Sequence, residues 1–283
     1  MKTGLDGRFE LHCHSLHSKR IKITWESVSR PRDIVRTAKK LGLSGIALTD
    51  HNVITGWKEA AREAKKQGMI FIPGQEVESR QGHVLALGIS ETVPNNRHLF
   101  ETIDNIHDQG GIAVAPHPFD IKGDGLRNGI RYADAVEVFN SLNIDRLSNR
   151  LARIKARRLG MPVVSGSDAH TLDMIGSSTV VADAHDLDSL LRRIKQGDVR
   201  LETRYMTTKM ITDWTTMRFI KSYDEVLDYI NDNYNPLKAN LARFMLNSFM
   251  TTKNRETFWN GVTKFSLGVA EIYSIALFLA YYK

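Results

Sequence analysis

A chain of 283 residues, 42% hydrophobic and 25% charged with only seven prolines, can bury a sizeable core, which sets aside peptide hormones, linkers and disordered chains. Its one cysteine cannot make a disulfide framework, and no charged-then-apolar leader opens it, so an intracellular, cytoplasmic protein is expected. The formal net charge of +7 attracts anions such as phosphate esters or nucleic acid, although basic runs such as Arg153-Ile154-Lys155-Ala156-Arg157-Arg158 read first as solvated helix faces.

From residue 9 to about 202, short apolar runs alternate with helical segments, the pattern of repeated β-α units around a mainly parallel sheet or barrel. A strand at 9–14 is followed by a polar loop and a helix over 31–42, opened by Pro31, which suits a first helical turn. A strand at 44–49 precedes a helix at 55–67 that Gly68 ends, and further strands begin at 69–72 and 84–87. A helix at 97–109, closed by Gly110-Gly111, leads to strands at 112–115 and 135–139, and a basic helix at 145–159 leads to a strand at 162–165. A strand at 179–182, a helix at 187–195 and a short strand at 199–201 complete the series. Seven or so such units suit a barrel better than an open sheet.

Beyond residue 203 the strands stop and helices are expected at 211–220, 223–229 and 237–249, before an apolar run at 265–282. The division is therefore a barrel over 1–203 and a helical extension over 204–283. The last run is long enough to cross a bilayer, but Glu271 lies inside it and a carboxylate at membrane depth is costly, so a packed terminal helix or partner surface is favoured over an anchor.

The chemistry concentrates at the strand ends. In an extended strand His12 and His14 point to one face and Cys13 to the other, leaving Cys13 as a small buried hydrophobe. Asp50-His51 ends the second strand, Glu76 follows the third, His83 precedes the fourth, His117 follows the fifth, Glu137 lies in the sixth, and Asp168 and His170 follow the seventh. Six of the ten histidines thus meet at one mouth of a barrel, where strand C-termini converge. A core or loop histidine explains any one of them, whereas a metal cluster explains all. Imidazoles with carboxylates suit Zn, Mn or Fe, and the surplus over four ligands points to two or three divalent ions, with Glu76 suited to bridging. His98, His107 and His185 fall on helices or loops and read as surface residues.

His12-Cys13-His14-Ser15, Thr49-Asp50-His51-Asn52, Gly74-Gln75-Glu76, Gly82-His83, Pro116-His117-Pro118, Glu137-Val138-Phe139-Asn140 and Gly166-Ser167-Asp168-Ala169-His170 together resemble the successive motifs of the PHP (polymerase and histidinol phosphatase) family, over roughly residues 8–185. The resemblance implies an α/β fold, a distorted seven-stranded (β/α)7 PHP-type barrel with the C-terminal helical region appended, that binds two or three divalent ions and hydrolyses phosphoesters. It implies a first site of His12, His14, Glu76 and Asp168, a second with His51 and Glu76, and a third with His83, His117 and His170. The sequence departs from the family after Ser15: Leu16-His17-Ser18-Lys19-Arg20 places Lys19 or Arg20 where an acidic residue or histidine often ligates the second ion. His17 as substitute, a weak or absent ion, and a cation in the ion's place remain open there.

The expected nucleophile is a hydroxide held between ions, which also neutralise phosphoryl charge. Asp168 and His170 are the catalytic candidates, His170 or a metal-bound water supplying the leaving group's proton. Arg80, Lys122 and Arg127 are candidates to bind phosphate oxygens, and the loop 119–129, with its three glycines, reads as a movable rim. The substrate expected first is a small phosphorylated metabolite or nucleotide. A nuclease trimming oligonucleotide ends, and a metal-binding regulatory or scaffold protein without turnover, are the alternatives.

Overall fold

The computed structural model describes residues 6–18, 25–251 and 255–281. Nine strands lie in one sheet: β1 (Gly7–Glu10), β2 (Gly45–Leu48), β3 (Ile70–Ser79), β4 (Gly82–Leu87), β5 (Ile112–Ala115), β6 (Ala135–Asn140), β7 (Val163–Gly166), β8 (Ser178–Ala182) and β9 (Arg200–Thr203). Their order is β7-β6-β5-β4-β3-β2-β1-β8-β9. The pairs β1–β2, β2–β3, β5–β6 and β6–β7 are parallel, while β4 runs antiparallel to β3 and β5, and β8 to β1 and β9.

The sheet curls into a nearly closed barrel because the segments after β7 and β1 bond to each other: Asp168 N–H donates to the His12 carbonyl, and His14 N–H to that of Ala169, both at 2.9 Å. The nine strands match the nine segments read from the sequence and exceed by two the seven of the barrel that the resemblance implies. Residues 79–82 form a tight turn with Gly82 at φ +138°, and such a turn joins only antiparallel neighbours. No crossover helix separates β3 from β4, and β8 and β9 are added antiparallel at the edge. The strand expected at 9–14 also ends early, so His12 and His14 lie just past β1 in the mouth itself.

Five helices flank the sheet: α1 (Pro31–Lys40), α2 (Trp57–Gln67), α3 (Leu99–Asp108), α4 (Arg146–Arg158) and α5 (Leu187–Gln196). Local sequence fixes their ends. Pro31 opens α1, Asp145 accepts from Ser148 N–H at 2.7 Å to cap α4, and Asp186 with Ser189 makes a capping box on α5. Gly68 and Gly197 close α2 and α5 in the left-handed conformation. Phe9, Leu11, Ile72, Leu85, Val114, Val164 and Val180 form one buried cluster with Leu190 and Ile194 of α5.

Four more helices follow: α6 (Thr208–Lys221), α7 (Tyr223–Asn233), α8 (Pro236–Thr251) and α9 (Arg255–Tyr281). Met210, Ile211 and Trp214 of α6 pack against the cluster of Cys13, Leu48 and Met174, and Phe278 and Tyr281 of α9 pack against that of Phe119 and Leu151. Glu271 accepts from Arg146 N–H at the start of α4, at 3.3 Å. The apolar run thus docks one face on the barrel, although Trp259–Tyr281 is long and apolar enough to cross a membrane and its other face exposes Phe265, Ile272 and Leu279.

Glu10, fully buried at the end of β1, accepts from Ser167 N–H at 3.1 Å and Gly176 N–H at 3.0 Å, tying β1 to the loops beyond β7. Burial pushes its carboxyl up to about 7, against the bonds that favour the anion. The unfolded chain releases this proton near 4.5 and the fold near 7, so stability falls as pH rises through that window, by up to about 1.4 kcal/mol per pH unit. Urea unfolding at pH 5, 6 and 7 is expected to show a pH dependence that Glu10→Gln changes by this contribution; an unchanged dependence would place the proton elsewhere.

Candidate metal centre

At the mouth, five imidazoles surround one carboxylate. Glu76, 1% exposed within β3, places Oε2 3.2 Å from the Nε2 atoms of His12 and His14 and 3.3 Å from that of His51. Its other oxygen, Oε1, lies 2.8 Å from His83 Nδ1 and 2.9 Å from His117 Nε2. His83 reaches the mouth because β4 runs antiparallel and therefore starts where β3 ends. Asp168 adds Oδ1 at 3.5 Å from His12 Nε2 and 3.2 Å from His14 Nε2.

Atoms bound to one ion at about 2.1 Å stand roughly 3.0–3.4 Å apart for angles between square and tetrahedral. His12 and His14 have that spacing to Glu76, as His14 has to Asp168, while the distance from His12 to Asp168 is 3.5 Å. His14 Nε2 is buried with carboxylate oxygens of Glu76 and Asp168 each 3.2 Å away, the position of a ligand atom on a shared cation. The donor set therefore fits divalent metal. Ligand atoms that lie within 4.8 Å of one another also group His12 with His117 and Asp168, His14 with Asp168 and His170, and His51 with Glu76 and His83. The expected trio of His83, His117 and His170 is not such a group: the first two meet on Glu76, and His170 stacks on His14, ring centroids 4.6 Å apart.

The backbone is bent to deliver these groups. Asp168 and His117 hold left-handed conformations, φ +55° and +26°, which cost a non-glycine residue about 1–3 kcal/mol. Glu137 offsets part of this: Oε2 accepts from His117 N–H at 2.8 Å and from the Asn140 amide at 2.9 Å, while Oε1 takes His12 Nδ1–H at 3.0 Å and so turns Nε2 to the centre. Gly166 makes room for it, since a Cβ there would lie 2.1 Å from Glu137 Oε1 and 2.6 Å from His12 Cβ. His170 donates Nδ1–H to the Asp168 carbonyl at 2.7 Å, which leaves Nε2 with its lone pair facing inward, the state of a ligand.

Protonation follows from this crowding. Burial alone would raise Glu76 and Asp168; the imidazoles, His51 and His12 foremost around Glu76 and His12 and His14 around Asp168, hold both well below the carboxylate range. Burial opposes charge on His14 and His117 too, but their carboxylate neighbours push them up to about 10 and about 9. On His51 burial wins and its value falls to about 3. Protons thus stand where a divalent cation would, and metal must displace them.

A cavity of about 220 Å³ opens onto the centre, lined by Glu26, His51, Glu76, His83, His117, Asp168 and His170. Of the three phosphate-binding candidates, Lys122 is in its wall. Arg80 is instead exposed and donates to the Asn96 carbonyl at 3.1 Å, and Arg127 turns to the Asp120 carbonyl at 2.6 Å and the Tyr281 ring. The loop 119–129 is pinned: Phe119 and Leu126 are buried, Asp120 accepts from Gly125 N–H at 2.9 Å, and His83 N–H donates to the Asp124 carbonyl at 2.8 Å.

Sequence reasoning missed Glu26, Trp214 and Arg218. Glu26 is 5% exposed and sets Oε2 3.6 Å from His51 Nε2 and Oε1 3.8 Å from His170 Nε2, the acidic group expected nearer Ser15. His17 lines a different cleft, and Lys19 and Arg20 lie outside the described residues. Trp214 and Arg218 enter the cavity wall from α6, beyond the boundary set at residue 203.

Comparison with known proteins agrees with this geometry. A PHP domain model matches residues 10–111 and a PHP-associated model residues 146–199. An uncharacterized protein of Methanocaldococcus jannaschii is 37% identical over 149 residues, 50% of this chain and 87% of that one. A 5'-3' exoribonuclease of Haemophilus influenzae is 29% identical over 111 residues, 38% of either chain. A solved two-domain protein of Bacteroides vulgatus containing a predicted PHP-like metal-dependent phosphoesterase superposes with a TM-score of 0.58 at 15% identity, over 78% of this chain and 71% of that one. PsfC of Pseudomonas syringae does so with a TM-score of 0.52 at 19% identity, over 77% and 98%. At such identities the structural likeness concerns the fold alone.

Two outcomes are expected of the centre. Metal binding at pH 7 releases protons, because His14 and His117 must give theirs up; calorimetry in buffers of different ionisation enthalpy will show heats that vary with the buffer, and identical heats would contradict it. Glu137→Gln lowers metal affinity by about 10–100-fold through His12; an affinity equal to wild type would remove Glu137 from that role.

Proposed function

The chain belongs to the PHP family, and from that premise we propose that it hydrolyses a phosphoester of a small phosphorylated metabolite or nucleotide, using two or three divalent ions of the Zn, Mn or Fe kind. The observation that carries the reading is the convergence of five imidazoles on the Glu76 carboxylate in the wall of a cavity at the barrel mouth. His12, His14, Glu76 and Asp168 would hold one ion, His51, Glu76 and Glu26 a second, and His83, His117 and His170 offer the remaining donors. Divalent ions supply charge neutralisation at the phosphoryl group and a water acidic enough to attack it near neutral pH.

The chain's own residues do the rest. Glu137 and the Asp168 carbonyl hold the Nδ1 atoms of His12 and His170, so that Nε2 of each is directed inward as the ligand atom. A cavity of about 220 Å³ suits a phosphorylated head group better than a long chain. Lys122 in the wall supplies a cation for phosphate oxygens outside the metal shell. His170 serves as a ligand, since its one Nδ1 proton is committed to a backbone carbonyl.

An oligonucleotide is the second reading, favoured by a separate cleft of about 580 Å³ lined by His17, Arg30, Arg32, Arg36 and Arg62. Arg36 pairs with Glu63 at 2.8 Å, whereas Arg30 and Arg62 make no ion pair among the described residues. The two readings separate by salt. A chain substrate loses affinity steeply between 50 and 200 mM salt, a mononucleotide far less.

Phosphate release from nucleotides, nucleoside bisphosphates, sugar phosphates and short oligonucleotides tests the proposal. Chelation is expected to abolish release and added Mn or Zn to restore it, and His12→Ala and Asp168→Ala to lose it by at least about 10³-fold while staying folded. Full activity in metal-free protein, or in both variants, would contradict it.

A further inference from the structure

Glu26 is a carboxylate at the centre carried by a segment without regular structure, residues 25–30, and its placement has to come from what grips that segment. On the barrel side, Ser18 Oγ donates to Glu26 Oε2 at 3.1 Å, and Ser27 Oγ lies 2.8 Å from the carbonyls of both His14 and His170. The opposite side is held by one face of α6. Trp214 Nε1–H donates to the Glu26 carbonyl at 2.8 Å, and Arg218 Nε–H to the Trp25 carbonyl at 3.2 Å. The Lys221 ammonium stands 4.1 Å from the centroid of the Trp25 ring. Residues 214, 218 and 221 follow i, i+4, i+7 spacing, so a straight helix presents all three on one stripe.

The grip reaches a second ligand as well. The Trp214 ring lies 4.7 Å from that of His170, and the Arg218 guanidinium stacks on Trp214 at 4.8 Å, which holds the indole in place. Buried ligands keep their geometry only when their own supports are fixed. α6 lies outside both segments matched by the family models, so this support belongs to the C-terminal helices of this chain.

We propose that the Trp214–Arg218–Lys221 face of α6 is a clamp that positions Glu26 and, through the indole, the His170 ring beside it, so that the second ion, at His51, Glu76 and Glu26, binds only when α6 is docked. The proposal rests on the metal-centre reading above. The contacts described for this face reach Trp25, Glu26 and His170, and the ion at His12, His14, Glu76 and Asp168 is expected to bind without it. Trp214, Arg218 and Lys221 are positioning residues: they act through Glu26 and His170.

The test is calorimetric titration of the metal-stripped full chain with Mn, read as separate binding steps. Glu26→Gln marks the step that depends on Glu26. Trp214→Phe keeps an aromatic ring beside His170 while removing the N–H donor and part of the indole surface, and Lys221→Ala removes a contact at the helix surface, so at least one variant keeps the fold. Each of Trp214→Phe and Arg218→Ala is expected to weaken the Glu26-dependent step by about tenfold or more, the loss of one hydrogen bond to a buried group. The tight step stays unchanged, which general destabilisation would not produce. Variants that match wild type in both steps while Glu26→Gln loses one overturn the clamp alone. Wild-type protein that takes up no divalent ion overturns the metal-centre reading instead.

Discussion

One buried carboxylate sets the terms for the rest of this molecule. Glu76 sits 1% exposed inside β3, with two oxygens and five imidazole nitrogens within 3.3 Å of them. An anion in such a place is costly unless cations face it on every side, and no lysine or arginine makes an ion pair with it among the described residues. Imidazoles are cationic only when protonated, and a divalent ion is the stronger answer to the same need. The curled sheet, the antiparallel β4 and the left-handed bends at His117 and Asp168 all bring donors to that one carboxylate.

The arrangement explains why the barrel is distorted. An all-parallel barrel would bring strand C-termini alone to the mouth. Turning β4 round lets His83 arrive from a strand start, and β3, ten residues long, carries Glu76 in its interior with its partner strand beside it. Gly166 and Glu137 show the same economy from the other edge: a missing Cβ lets a carboxylate pass behind His12 and orient it. Function is written into the sheet as well as into its loops.

Much of this was legible in the sequence because the signals are local. Short apolar runs marked where the nine strands lie, and Pro31 and Gly68 marked helix ends through backbone preferences that act within one turn. His12, His14, His51, Glu76, His83, His117, Asp168 and His170 stood out because strand ends in a barrel share one mouth, and the structure places all eight there. What the sequence concealed depends on long-range packing. Glu26 lies in a polar stretch with no periodicity, and its neighbour is Trp214, 188 residues away. Arg80 and Arg127 were close to ligands along the chain yet found backbone carbonyls instead. The boundary drawn where strands give way to helices says nothing of α6 returning to the mouth.

The account stands or falls on metal at Glu76, and the direct measurement is elemental analysis of purified wild-type protein beside Glu76→Gln, a neutral side chain of the same shape. The arrangement predicts two or three transition-metal ions per chain in the wild type and a loss of at least one in the variant, with the fold retained. Wild-type protein without metal, or a variant that binds as many ions as wild type, would contradict it.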